Sequence, residues 1–207
     1  MHFELPFRSE SLSLQLPGHA DILPLPGQDR LKSPGEALHE ALASPFGCPP
    51  LRTVVREKVR AGRNDAVVVV SDNTRPVPYR GQGGILTPLL DALQDEGVEH
   101  IKILVATGTH HPLSRDELRT MLPDRAFRPP VEIVNHRATD TANLHYLGDT
   151  PRGTEASISR HYLDAGIRIL TGLAEPHFMA GVSGGRKSIC PGLAGQAATY
   201  TFHGAEL

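Results

Sequence analysis

Three stretches of this sequence carry residue types able to hold anions and move protons. Gly181-Val182-Ser183-Gly184-Gly185-Arg186-Lys187-Ser188 sets glycines ahead of a lysine and of an expected helix start. Glycines placed so let successive backbone N–H groups face an anion, and a helix N-terminus adds to the attraction. A phosphate is the natural guest for Ser183, Gly184 and Gly185. The stretch falls one residue short of a P-loop, because Arg186 stands where the second Gly should be. A P-loop should also follow its strand directly, whereas Ala174 to Ala180 intervene here. A plain Gly-rich turn bearing a surface lysine is the alternative.

His110, in Gly108-Thr109-His110-His111-Pro112, and His177, in Glu175-Pro176-His177, each follow an expected strand end by a few residues. Imidazoles titrate near neutral pH, so two facing one substrate can exchange acid and base roles. Inverting a carbon reversibly needs such an acceptor and donor on opposite faces. Hydrogen bonding to neighbouring loops is the competing reading for both. His203 could ligate a metal through a ring nitrogen, or lie on the surface. His136, His145 and His161 read as structural. In Asp72-Asn73-Thr74-Arg75-Pro76 the arginine can grip a carboxylate or phosphate through two parallel bonds, and Asp72 can orient it or a histidine. An Asp–Arg loop staple would use the same residues. Cys190 has no base beside it in sequence and reads as a small packing residue.

These residues need elements that deliver them to one place. Val67-Val68-Val69-Val70 is a β-branched run that turns polar only at Ser71-Asp72, the pattern of a central parallel strand. Strands are likewise expected over Ile101 to Ala106, Val131 to Val134 and Ile167 to Leu170. Between them, helices are expected from Gly84 to Glu96 with Gly97 as an αL cap, from a Ser114/Glu117 capping box to Met121, and from Glu155 to Asp164 ending at Gly166. Upstream, Ser33-Pro34-Gly35-Glu36 carries cap, Pro and Glu signals for a helix to Ala43, and Pro49-Pro50 opens another. The first 30 or so residues alternate loosely through Leu12, Leu14 and Leu16, which suggests a short strand or hairpin and an irregular crossing segment. Such alternation predicts an α/β fold: a Rossmann-like, doubly wound, mainly parallel sheet flanked by helices, with a short irregular or β N-terminal segment. Ligands of these folds sit beyond the carboxyl ends of the strands. The polar groups at Asp72 to Arg75, Thr107 to His111, Asn135-His136 and Thr171 to His177 should therefore converge on one edge.

Composition narrows the partners. A net charge of −2, with no run of Lys or Arg on a candidate face, argues against nucleic acid. No apolar stretch approaches the roughly 20 residues that cross a bilayer, and the opening residues do not read as a signal peptide. Two cysteines make no disulfide framework, so a reducing cytoplasm is the expected location.

Taken together the motifs resemble the lactate racemase family, whose members use a nickel-pincer nucleotide. The resemblance rests on Ser71-Asp72-Asn73-Thr74-Arg75-Pro76, Ala106-Thr107-Gly108-Thr109-His110, Asn135-His136 followed by Tyr146-Leu147-Gly148, Glu175-Pro176-His177, and Ser183-Gly184-Gly185-Arg186-Lys187-Ser188 running into Pro191-Gly192-Leu193-Ala194-Gly195. It also takes in Ser44-Pro45-Phe46-Gly47 and Pro49-Pro50-Leu51. The resemblance implies nickel-dependent racemisation or epimerisation of a 2-hydroxyacid by hydride abstraction and return at C2. It implies that Lys187 carries the pyridinium-3-thioamide-5-thiocarboxylic acid mononucleotide covalently, and that His203 completes the nickel coordination. His110 and His177 match the alternating acid/base pair, Asp72 and Arg75 match polar residues that organise substrate or cofactor, and Ser183, Gly184 and Gly185 fall in the cofactor-binding turn. Residues 1–207 correspond to the N-terminal catalytic domain of such proteins, which are about twice as long. A missing C-terminal domain, cofactor-maturation proteins and a small 2-hydroxyacid are thus the implied partners, and an uncovered interdomain face would favour self-association. His111 stands where the family usually carries a basic residue, often arginine. A non-catalytic nucleotide- or anion-binding module that needs a partner domain is the alternative.

Overall fold

A computed structural model of the chain describes residues 1–7, 10–21, 31–177, 180–202 and 204. The described residues divide into two compact units, Met1–Lys32 and Ser33–Leu207. In the first, β1 (His2–Phe7) and β2 (Glu10–Gln15) form an antiparallel pair, so the expected N-terminal hairpin is present.

The second unit is built on four parallel strands: β3 (Asp65–Ser71), β4 (His100–Ala106), β5 (Val131–Asn135) and β8 (Ile167–Leu170), in the order β5-β4-β3-β8. Each lies where its apolar run predicts it. The central strand β3 buries Ala66 through Val70 in sequence, because both of its faces are covered. Its side chains alternate between two cores. Val68 and Val70 pack with Val55 of α2 (Leu51–Arg60) and with Leu86, Leu90 and Leu93 of α3 (Leu86–Asp95), while Val67 and Val69 pack with Leu104, Ala165 and Leu193 on the other side. Helices on both faces of a parallel sheet are the expected doubly wound arrangement.

Local signals performed unevenly. The capping box at α4 (Arg115–Met121) forms in full: Ser114 Oγ accepts from the Glu117 N–H, and the Glu117 carboxylate accepts from the Ser114 N–H. Gly97 takes a φ of 92° after α3, as an αL cap requires. Ser33 precedes α1 (Pro34–Ala43) but makes no side-chain cap bond. The predicted helix from Glu155 to Asp164 is wrong over its first half. Glu155–Ser159 is strand β7, paired antiparallel with β6 (Leu144–Asp149), and only Arg160–Leu163 is helical, as the single turn α5. The alternation in Glu-Ala-Ser-Ile-Ser is the strand period, and tertiary pairing with β6 decides the matter. Gly166 is no αL cap either. A side chain there would strike Arg63 Cβ at 2.7 Å, so the glycine permits close packing. None of the described helices is long and apolar enough to cross a membrane.

Candidate functional site

The loops after β3, β4 and β8 meet in one cleft of about 310 Å³. From β3 it receives Asp72, Thr74 and Arg75, and from β4 Thr107 through His110. The long segment after β8 adds Leu173, His177, Ser183, Gly184, Lys187 and Ser188. The chain proceeds from β3 to β4 on one side while β8 lies on the other, so the cleft opens where the sheet order reverses. The size is within the range of small-molecule and cofactor pockets.

Asp72 is buried and His110 is exposed, and His110 Nδ1 lies 2.6 Å from Asp72 Oδ2. A carboxylate can only accept there, so Nδ1 carries the hydrogen and the Nε2 lone pair faces outward. The other Asp72 oxygen accepts from the Thr74 backbone N–H at 3.1 Å and from the Thr74 hydroxyl. Asp72 thus orients a histidine; no Asp72–Arg75 side-chain pair forms, and the Arg75 guanidinium reaches the Thr74 carbonyl at 3.3 Å.

His177 sits on β9 (Pro176–His177), which pairs with β10 (Gly181–Val182). Its Nδ1 accepts from the Ala180 N–H at 3.1 Å, the reverse of the His110 arrangement. A neutral imidazole accepting at Nδ1 carries its hydrogen on Nε2. The hairpin is clasped at its base by Ser183, whose hydroxyl donates to the Leu173 carbonyl at 2.6 Å and accepts from the Glu175 N–H at 2.9 Å. Ser183 therefore braces the wall, with its hydroxyl already committed.

Gly184 adopts a φ of 72° and brings its backbone against Leu173, where a Cβ would sit 3.0 Å from the carbonyl oxygen. Any side chain would strain this turn and push it off the sheet. Gly185 follows at a φ of 49° but does not line the cleft. The expected helix after the glycines is a four-residue 3₁₀ turn, Gly185–Ser188, and the β9–β10 hairpin precedes the glycines where a P-loop would have a parallel strand. Both differences remove the P-loop reading. Lys187 projects from this turn. Burial lowers its ammonium below the usual lysine range, Arg75 lowers it further, and Asp72 opposes the shift. A lysine so placed spends more of its time as a nucleophilic amine.

The β5 end does not line the cleft as expected; it braces two loops that do. Asn135 Oδ1 accepts from the Leu113 N–H at 3.1 Å and its Nδ2 donates to the Leu113 carbonyl at 2.9 Å, pinning the loop that carries His110. The buried His136 ring bonds the Ala194 carbonyl through Nε2 at 3.0 Å, and the Thr107 hydroxyl donates to the His136 carbonyl at 2.7 Å. Burial pushes His136 below its ordinary value of 6.5, and the Ala194 contact only partly offsets this. The unfolded chain therefore takes up this proton first. The contribution of neutral His136 is full above about pH 6.5 and is lost as pH falls through the window below it, at up to about 1.4 kcal/mol per pH unit. Urea unfolding at pH 7.5 and 5.5 checks this: the stability advantage of the parent over His136→Gln should shrink at the lower pH, and a constant difference would contradict it.

His203 lies outside the described residues. His145 is exposed on β6, and His161 contacts Lys102 Nζ through Nδ1 at 3.2 Å, so neither joins the site. Cys190 is half-buried against the core formed by Ile158, Ala194 and Ala198, and burial pushes its thiol up, as suits a packing residue. Ser188 and Thr199, to which sequence reasoning gave no role, also line the cleft. A lone hydroxyl has no spacing that marks it, and these were reachable only through the fold.

Known proteins bear on this geometry. The sequence model of the lactate racemase N-terminal domain matches residues 7–207. Lactate racemase of Lactiplantibacillus plantarum is 35% identical over 173 residues, which are 83% of this chain and 38% of that protein. Lactate racemase of Thermoanaerobacterium thermosaccharolyticum is 29% identical over 99% of this chain and 47% of its own length. The solved apoprotein structure of lactate racemase from the same organism superposes with a TM-score of 0.74 at 29% identity, covering 95% of this chain and 44% of that one. A Thermotoga maritima protein at 23% identity and a TM-score of 0.58 covers 76% of this chain and 41% of its own, and shares the fold. The chain thus spans less than half the length of the curated relatives it matches.

Proposed function

Since this chain belongs to the lactate racemase N-terminal domain family, we propose that it is the cofactor-bearing, catalytic-histidine part of an enzyme that racemises or epimerises a 2-hydroxyacid. The observation that carries the reading is the pair of histidines in one cleft with opposite hydrogen-bond roles at Nδ1. His110, held by Asp72, presents Nε2 as a proton acceptor. His177, accepting at Nδ1, has its hydrogen on Nε2. To act as the acid it would donate that hydrogen from the imidazolium form, with a proton also at Nδ1 in place of the Ala180 contact, which leaves a neutral ring ready to accept at Nε2. One substrate enantiomer would give its hydroxyl proton to His110, and the mirror-image product would receive its proton from His177. The reverse reaction exchanges the two roles. Arg75, which lines the cleft, would take the substrate carboxylate, the planar anion its fork matches.

The cleft also suits the family's nickel-pincer nucleotide. Lys187 offers an amine of raised nucleophilicity for covalent attachment, and the Gly184 turn offers close backbone approach to a phosphate. Thr199 adds a buried hydroxyl lacking a partner. When bound, the group supplies hydride acceptance and return at C2. His203 is the proposed nickel ligand. The remainder of the enzyme, corresponding to the length by which the relatives exceed this chain, would close the site against water. A cytoplasmic location and dependence on cofactor-maturation proteins belong to the same proposal.

Intact mass with metal analysis, on chain produced together with the maturation proteins, tests the reading. A Lys187-dependent mass adduct with bound nickel, absent in Lys187→Ala, is expected. An unmodified, nickel-free parent chain under those conditions would remove the cofactor assignment and leave an anion-binding module.

A further inference from the structure

We propose that Thr199 is a ligand-binding residue of this cleft, its hydroxyl reserved for an oxygen of the mononucleotide that fills it. The inference deepens the cofactor reading above and rests on it.

Thr199 lies in α6 (Gln196–Phe202) and is 5% exposed. It forms part of the cleft wall together with Ser188, Pro191 and Gly192. Its Oγ1 is covered and has no hydrogen-bond partner. A threonine inside a helix ordinarily solves this locally, by donating to the carbonyl four residues back. Thr201, two residues on, does so, reaching the Ala197 carbonyl at 3.1 Å. Thr199 has the same option at Gly195, whose carbonyl receives the Thr199 backbone N–H at 3.4 Å, yet its hydroxyl does not take it. One helix therefore holds two threonines, and the one left unpaired is the one on the cleft.

An unsatisfied buried hydroxyl is costly, and such groups are few in folded proteins. The cost is withdrawn when a ligand supplies the partner, so the empty protein is destabilised for the benefit of the filled one. The chemistry of the surrounding wall indicates an anionic guest. Lys187 and Arg75 face the cleft, and Asp72 is already engaged by Thr74 and His110. A hydroxyl that donates to a phosphate or carboxylate oxygen makes a charge-assisted bond, stronger than one to a neutral acceptor. Thr199 moves no proton in the reaction; it binds.

The test uses nicotinic acid mononucleotide, a nickel-free pyridinium mononucleotide, with the full chain and its Thr199→Val and Thr199→Ser variants. Valine keeps the shape and removes the hydroxyl, while serine keeps the hydroxyl. Without ligand, Thr199→Val should melt about 2–4 °C above the parent, because an unpaired polar group has been replaced by a methyl. In calorimetric titration it should bind the mononucleotide about tenfold or more weakly, with Thr199→Ser close to the parent. Equal affinity of the parent and Thr199→Val would overturn the assignment while leaving the cofactor reading standing. So would a valine variant less stable than the parent when empty, since the hydroxyl must then have a partner already. A parent chain that binds no mononucleotide overturns both.

Discussion

In the proposed racemisation, Asp72→Asn should slow 2-hydroxyacid interconversion by the cofactor-loaded protein about 10³–10⁴-fold, although the substitution alters a single atom. Asp72 Oδ1 is committed to the Thr74 N–H and hydroxyl, both donors. In the variant the amide oxygen must stay there, which turns the amide nitrogen toward His110 Nδ1. That nitrogen can only donate, so the imidazole must accept at Nδ1 and carry its hydrogen on Nε2. The atom proposed to take the substrate's hydroxyl proton is then blocked by one. Nitrogen-15 NMR of the His110 ring reads this without any turnover. The parent should give the Nδ1–H pattern and the variant the Nε2–H pattern, with Asp72→Glu intermediate in rate. Unchanged ring shifts together with a rate within tenfold of the parent would show that Asp72 does not set the tautomer.

Gly192→Ala should cost about 3 kcal/mol of stability, at the upper end of what overpacking does, and lower the melting temperature by about 8 °C. A Cβ at Gly192 would lie 2.4 Å from the Ser188 carbonyl oxygen and 3.0 Å from the Ala106 Cβ. The first of these is backbone and cannot swing aside. To relieve the overlap, the 3₁₀ turn carrying Lys187 must separate from the segment after it. The Gly192 carbonyl also accepts from the Gly108 N–H at 3.0 Å, so the strain passes to the loop bearing His110. The variant should therefore lose mononucleotide binding more steeply than its melting temperature alone suggests. Gly153→Ala, at a turn with open space around it and a φ of 77°, is the control: it should cost stability through backbone strain while leaving binding intact. If Gly192→Ala melts within about 1 °C of the parent, the close packing of the two loops is not what holds Lys187.

The residues proposed to carry the chemistry were legible in the sequence because most of them sit where an α/β fold must expose them. Apolar runs such as Val67 to Val70 announce a strand buried on both faces, and the residues just past the end of such a strand lie at the ligand edge. Asp72, Arg75, His110 and His177 can thus be nominated together, Lys187 stands out by the Gly-rich turn before it, and the cleft does gather all five. The capping box before α4 is equally clear, since its partners lie three residues apart and need no other part of the chain. Composition, spacing and local hydrogen bonding are properties of neighbours, so a linear reading reaches them.

Tertiary structure alone decided the remainder. Asp72 chose His110 over Arg75 across 38 residues of chain, and this choice gives His110 the opposite hydrogen-bond role to His177. The Asn135-His136 strand end is expected at the ligand edge, with His136 itself structural; the sheet order carries β5 to an outer position, where both residues clamp loops. Glu155 to Ser159 falls within an expected helix although it alternates with the strand period, and pairing with β6 decides it as a strand. The unpaired hydroxyl of Thr199 has no sequence signature at all: Thr199 and Thr201 stand two positions apart in one short helix, and only the walls around them differ.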